Sequence, residues 1–168
     1  MTSAPPPGTS PELSELDRVV ARNQIELALR RYNWNGDAFK IEQLAAQFAE
    51  DGTLHVHGED PVTGRAAIVT KLTRSGERGA PTGVGELKMY IRHFVTNVLV
   101  ENITATTADA RSYFLVFTPL GPDHWGRYRD TMVKTAEGWR IQHRYVRVDP
   151  KVGGSPWRDG VHTDAISG

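Results

Sequence analysis

From His93 to Val148 the sequence alternates with a period of two, and no other feature restricts the possible folds as much. The alternation falls into four runs, His93–Glu101, Arg111–Thr118, Arg127–Thr135 and Trp139–Val148. Successive side chains of an extended chain point to opposite faces, so these runs predict β-strands. The stretches between them, which include Thr107-Ala108-Asp109, Gly121-Pro122-Asp123 and Ala136-Glu137-Gly138, carry turn-forming residues. Connections this short join antiparallel neighbours. Such a meander has an apolar face that must be covered.

The first half of the chain supplies helices for that purpose. Ser10-Pro11-Glu12 reads as a helix start, with Ser10 as N-cap and Pro11 in the first turn. Leu13, Leu16, Val20, Leu27 and Leu29 form an apolar stripe reaching about Arg31, interrupted at Asn23 and Gln24. The segment from Tyr32 to Asp37 breaks the stripe, and Gly36 is a natural helix stop. A shorter helix follows with Ile41, Leu44 and Phe48 on one side, ended by a turn at Asp51-Gly52. Thr53–His57 reads as a strand, Gly64 to about Leu72 as a helix, and Arg74–Gly85 as a mobile glycine-rich loop. Helices first and a meander afterwards predict an α+β fold, with helices packed on one face of a curved sheet. Residues 1–10 are rich in Pro, Ser and Thr and are expected to be disordered. Residues 11–148 are expected to form one domain, and the tail 149–168 to be loose or packed over the pocket through Trp157.

Composition narrows the function. Twenty basic and twenty acidic residues leave no net charge, which argues against nucleic acid or an anionic membrane as partner. Without cysteine there are no disulfides, thiolate nucleophiles or Cys-type metal sites. No apolar run approaches the roughly 20 residues of a membrane span. The N-terminus has neither the basic nor the apolar region of a secretory signal, so a cytoplasmic location is the default. There is no G-x-S-x-G, no G-x-x-x-x-G-K-[ST] and no G-x-G-x-x-G, which disfavours covalent hydrolysis and nucleotide chemistry.

A few polar residues remain as candidates. His55 and His57 share a strand face, but a metal needs a third ligand from elsewhere; they read as strand residues near a rim, and no metal site is expected. Alternation puts His93, Val95, Asn97 and Leu99 on one face, with Phe94, Thr96, Val98 and Val100 on the other. Both faces are largely apolar, which predicts cover on both sides and a hydrogen-bonded partner for His93. Asp37 reads equally as a cap at the start of the second helix, and His93 as a structural histidine. Arg144 alternates with Gln142 and Val146, opposite Ile141, His143 and Tyr145, and by itself reads as a surface charge or an ion pair. Spacing alone does not bring these residues together.

The ordered set Tyr32-x4-Asp37-x6-Leu44-x3-Phe48, Asp51-Gly52, Arg92-His93-x2-Thr96-Asn97 and Gly138-Trp139-Arg140-Ile141-x2-Arg144 resembles the SnoaL-like branch of the nuclear transport factor 2-like superfamily. The resemblance covers about residues 13–148. It implies a cone-shaped α+β barrel, a strongly curved mixed sheet packed against N-terminal helices around a pocket. Members include scytalone dehydratase, bile acid 7α-dehydratase and a hexachlorocyclohexane dehydrochlorinase. By that resemblance Asp37 orients His93, which abstracts a proton, while Tyr32 and Arg144 match further catalytic positions. No residue clearly matches the additional acid that some members carry on a middle strand.

The implied activity is a cofactor-independent, dehydratase-type elimination on a cyclic hydrophobic molecule, such as a polyketide, steroid-like or terpenoid compound. The alternatives are an isomerase or cyclase working through an enolate with the same base, or a non-catalytic ligand-binding module. Tyr113, Phe117, Tyr128, Met132, Trp34 and His55 are the candidate substrate-binding residues, with Phe94 and Tyr145 also available as walls. A homodimer or homotrimer is implied by the superfamily.

Overall fold

The computed structural model of the chain describes residues 13–79 and 90–149. Expectations for the N-terminal tail, for Ser10 and Pro11, for the far part of the glycine-rich loop and for Trp157 lie outside the described residues.

Helix α1 (Glu15–Asp37) begins one turn later than the sequence predicts, with Ser14 as N-cap. The Ser14 hydroxyl accepts the Asp17 N–H at 3.1 Å, and Glu15 and Asp17 place negative charge where the helix dipole favours it. The helix also passes through the segment expected to end it. Tyr32 and Asn33 are buried near its end, and tertiary packing there outweighs the roughly 1 kcal/mol helix penalty of Gly36. A Cβ on Gly36 would lie 3.3 Å from Leu44 Cδ1, so this glycine admits a close neighbour and does not act as a stop. The buried face is Ala21, Ile25, Ala28, Leu29, Tyr32 and Asn33. Of the predicted stripe only Leu29 is deeply buried, while Leu16, Val20 and Leu27 are exposed. Small alanines on the packed side let the helix sit close to the sheet, and this inverts the choice that hydrophobicity alone suggests.

After α1 the chain forms α2 (Ile41–Ala45), β1 (Phe48–Val56), β2 (Val62–Thr63) and α3 (Arg65–Gly79). Phe48 therefore opens a strand and does not close a helix. Asp51-Gly52 lies inside β1 at a register shift, where a Cβ on Gly52 would meet the Ile141 carbonyl oxygen at 2.8 Å. The glycine marks a close backbone approach, which in sequence is indistinguishable from a turn. Arg74 to Gly79, read as loop, continues α3.

The meander follows as β3 (Arg92–Glu101), β4 (Thr107–Thr118), β5 (Gly121–Thr135) and β6 (Gly138–Val148). The expected turns at 107–109 and 121–123 are strand instead, and the chain reverses just before each of them. The six strands run in the order β2-β1-β6-β5-β4-β3, with β1 and β6 parallel and the other pairs antiparallel. This is a mixed, curved sheet, open and not closed into a full barrel, with the helices on its inner face: an α+β cone.

The main core lies between α1, α2 and the inner sheet face. Ile25, Phe48, Ile68, Met132 and Ile141 are fully buried in it. Each such side chain contributes about 1.5–3 kcal/mol of transfer free energy.

Bulges change which residues look inward. Asn97 takes φ 53, and the β3–β4 register shifts between Thr96 and Leu99. His93 and Val95 therefore share the inner face with Val98 and Val100, while Phe94 and Leu99 are about half exposed. Among the described residues nothing covers the outer side of this strand as the sequence predicts. In β6 the register against β5 shifts around Gln142, so Arg144 joins Trp139 and Ile141 inside.

Candidate active site between the helices and the sheet

Asp37 is the last residue of α1, not the first of α2, which removes the capping explanation for it. A carboxylate at a helix C-terminus faces the negative end of the dipole and needs other donors. It finds them on β3, the edge strand of the sheet. Both Asp37 oxygens accept the His93 backbone N–H, at 3.0 and 3.1 Å, and Asp37 Oδ1 lies 2.6 Å from His93 Nδ1. Residues 56 apart in sequence are thus locked together. With Nδ1 donating to the carboxylate, the lone pair of the neutral ring sits on Nε2. Each of the two side chains keeps 17% of its surface exposed, so the pair stands at a rim.

His93 borders a cavity of about 180 Å³. Helix α1 contributes Tyr32, Asn33 and Gly36, and α2 contributes Ile41 and Leu44, with Phe39 between them. Leu72 and Ser75 come from α3; Ile91, Val116 and His124 complete the lining beside His93. The walls are mainly apolar, with a few polar groups in reach of a ligand, the usual character of a small-molecule site.

Beneath Tyr32 lies a buried charge. Arg144 and Asp130 both have no exposed side-chain surface, and Arg144 Nε and Nη2 donate to the two Asp130 oxygens at 2.7 and 2.8 Å. The guanidinium lies over both the Tyr32 and the Tyr128 ring, 4.1 and 4.2 Å from their centroids, and the two rings meet edge-on at 74°. Burial works against its charge, but the attraction of Asp130 prevails and holds its pKa above the ordinary arginine value. Burial raises the pKa of both phenols, against the opposing charge of Arg144. At neutral pH Tyr32 and Tyr128 are therefore O–H donors. Tyr128 donates to Asn33 Oδ1 over a long 3.4 Å, and Asn33 Nδ2 donates to the Leu29 carbonyl at 3.0 Å.

A pH dependence follows. The folded state holds the two phenolic protons more tightly than the unfolded chain, whose phenols titrate near 10.0. This contribution to stability is present in full below that value and is lost as pH rises beyond it. Urea midpoints measured from pH 8 to 11.5 should be flat at first and decline above about pH 10. In Tyr128→Phe the decline should be shallower.

The structure brings Tyr32, Asp37 and His93 to one place, with Arg144 behind Tyr32 and not among the described residues bordering the cavity. The other sequence candidates are dispersed. Tyr128 is buried against Phe114, and Met132 lies deep in the main core. Tyr113 and Phe117 occupy outward positions of β4; Tyr113 is 54% exposed, and Phe117 meets Phe94 edge-on at 5.3 Å. Trp34 is 78% exposed, one residue round the helix from Asn33. His55 faces away from the core between Leu54 and Val56, beside Tyr145 and His143. Tyr145 in turn bonds His57 Nδ1 at 2.6 Å. Among the described residues no three His, Asp or Glu side chains are gathered to hold a metal.

Sequence reasoning missed Asn33, Asp130 and the neighbours Asp123 and His124. Asp130 carries a usable signal, since it alternates in step with Tyr128 and Met132 on β5. Asp123 does not, because its Gly-Pro-Asp context reads as a turn.

This architecture agrees with what the chain is similar to. The SnoaL-like domain family matches residues 17–145, and the chain belongs to that family. No curated protein matches the sequence. Among solved structures, a protein from Catenulispora acidiphila is 27% identical, with 80% of this chain and 95% of that one covered at a TM-score of 0.68. A protein from Novosphingobium aromaticivorans, provisionally described as a scytalone dehydratase, is 25% identical over 79% and 87% of the two chains, with a TM-score of 0.63. An NTF2-like protein with a cystatin-like fold from the same organism is 24% identical over 88% and 92%, with a TM-score of 0.65. The SnoaL-like family includes small-molecule dehydratases and cyclases, and of these three neighbours the one from Novosphingobium aromaticivorans described as a scytalone dehydratase carries such an activity in its name.

Proposed function

We propose that this protein is a cofactor-independent lyase of the dehydratase type, acting on a cyclic, hydrophobic, hydroxylated molecule with His93 as general base and Asp37 as its orienting group. The observation that carries this reading is the 2.6 Å Asp37–His93 contact beside a mainly apolar cavity. The provisional scytalone dehydratase from Novosphingobium aromaticivorans supports the substrate class.

In this reading His93 Nε2 takes a proton from carbon next to a carbonyl, and the C–H electron pair moves to form the new double bond. The adjacent C–O bond breaks, and its oxygen leaves with the bonding pair. The Tyr32 O–H, held protonated by burial, donates a hydrogen bond to the substrate carbonyl as negative charge develops there. Arg144 supports that charge from behind the Tyr32 ring without touching the substrate. Asp37 keeps the imidazole in the tautomer that leaves Nε2 able to accept, and steadies the imidazolium that forms.

Incubation with scytalone and related hydroxylated cyclic ketones, followed by mass spectrometry, tests the assignment. Loss of one water that requires His93 supports elimination. Solvent deuterium entering a product of unchanged mass formula would replace it with the isomerase or cyclase chemistry of an enolate. Saturable binding without either outcome would reduce the protein to a ligand-binding module.

A further inference from the structure

We propose that Asp123 and His124 form a second acid–histidine pair on the same cavity, with His124 as the proton donor that faces the base His93. This rests on the reading of the cavity as a proton-transfer site, and adds a catalytic residue that neither the sequence pattern nor the family resemblance contains.

The register carries the argument. His93 on β3 pairs with Val116 on β4, and Val116 pairs with His124 on β5. The three residues form one row across the inner face, and all three border the cavity. Adjacent strands lie about 4.8 Å apart, so the backbones of the two histidines stand about 10 Å from one another, with Val116 as the floor between them. That gap suits a flat ring held edge-on to both imidazoles.

The second pair resembles the first in its chemistry. His124 Nδ1 lies 2.5 Å from Asp123 Oδ2, with the carboxylate side chain 3% exposed and the ring 18% exposed. The β4–β5 register shifts between Val116 and Phe117, which pair with His124 and Pro122 and leave Asp123 as the extra residue. This bulge lets two consecutive residues serve one side of the strand, as bulges next to active sites do. The Phe114 ring meets the His124 ring edge-on at 5.9 Å and fixes its plane. With Nδ1–H held by the carboxylate, His124 donates only as the imidazolium, whose second proton lies on Nε2, on the far side of the ring from Asp123. Asp123 is thus a positioning residue for His124, as Asp37 is for His93.

The two pairs divide the elimination between them. His93 Nε2 accepts the carbon-bound proton, and its electron pair forms the double bond. The C–O bond breaks towards oxygen, which takes a proton from His124 Nε2 and leaves as water. One imidazole has gained a proton and the other has lost one, and exchange with solvent restores both.

Benzisoxazoles probe this division without the natural substrate. A base removes the ring C–H proton, the freed pair completes a nitrile, and the N–O bond breaks to give a phenolate that a general acid can protonate. A donor matters little for 5-nitrobenzisoxazole, whose phenolate is stable, and much for unsubstituted benzisoxazole. In the full-length protein, His93→Gln should bring both reactions down to the rate of free imidazole. His124→Gln and Asp123→Asn should lower kcat on benzisoxazole at least about 10-fold more than they lower kcat on the nitro compound. Far-UV spectra and melting temperatures check that each variant folds, and His124→Asn serves as a second variant if His124→Gln does not. Equal losses on the two compounds, or none, would overturn the role of His124 while leaving that of His93 intact. A wild-type rate no higher than that of imidazole, or one that His93→Gln leaves unchanged, would overturn both.

Discussion

Replacing Asp130 with alanine is expected to destabilise the protein by about 3–5 kcal/mol, because the Arg144 charge would then be buried without its partner. Arg144 and Asp130 are completely enclosed, and Arg144 Nη1 already has no hydrogen-bond partner among the described residues. The flanking Tyr32 and Tyr128 rings offer their π faces to the cation, and these replace only part of what the carboxylate supplies. Urea unfolding of Asp130→Ala should show the full loss. In the double variant Asp130→Leu with Arg144→Met both charges are gone and much of the volume is kept, so a clearly smaller loss is expected. Equal losses in the single and double variants would show that packing, not the unpaired charge, dominates. The pair matters for the site because it holds Tyr32, which lines the cavity.

The largest effect on activity is expected at the rim. His93→Ala should lower turnover by about 10²–10⁴-fold, the range a positioned general base contributes. Asp37→Asn should come close to it for a specific reason. The amide keeps one oxygen for the His93 backbone N–H, but its NH₂ group now donates towards Nδ1. That hydrogen bond selects the tautomer protonated at Nε2, where the base needs a lone pair. Because both side chains are partly exposed, melting temperatures should stay near the wild-type value in both variants. Loss of cooperative unfolding in both would assign the pair to structure. Unchanged turnover in Asp37→Asn would mean that the carboxylate does not set the tautomer.

Much of the fold could be read from local pattern. The period-two alternation after His93 located four of the six strands, and helices before a meander defined the α+β class. Where the reading failed, long-range contact had overridden a local signal. Gly36 looks like a helix stop and Gly52 like a turn, yet each admits a close neighbour, Leu44 in one case and the Ile141 carbonyl in the other. The stripe on α1 was assigned to the wrong face because the sheet selects small residues at Ala21 and Ala28, whereas larger ones at Leu16 and Leu27 stay outside.

By itself the sequence determined the alternating strands, the residue types available for chemistry, and an ordered pattern that resembles one family. Those are properties of spacing and side-chain identity, and spacing survives without contacts. Only the tertiary structure decided which polar residues meet. Asp37 reaches His93 because α1 runs six residues past its expected end at Arg31 and delivers the carboxylate to an edge strand with an available N–H. Arg144 turns inward, and Asp123 joins His124, because bulges add single residues that shift the alternation. Strict alternation encodes one face per parity, so a bulge is invisible until a partner strand fixes the register.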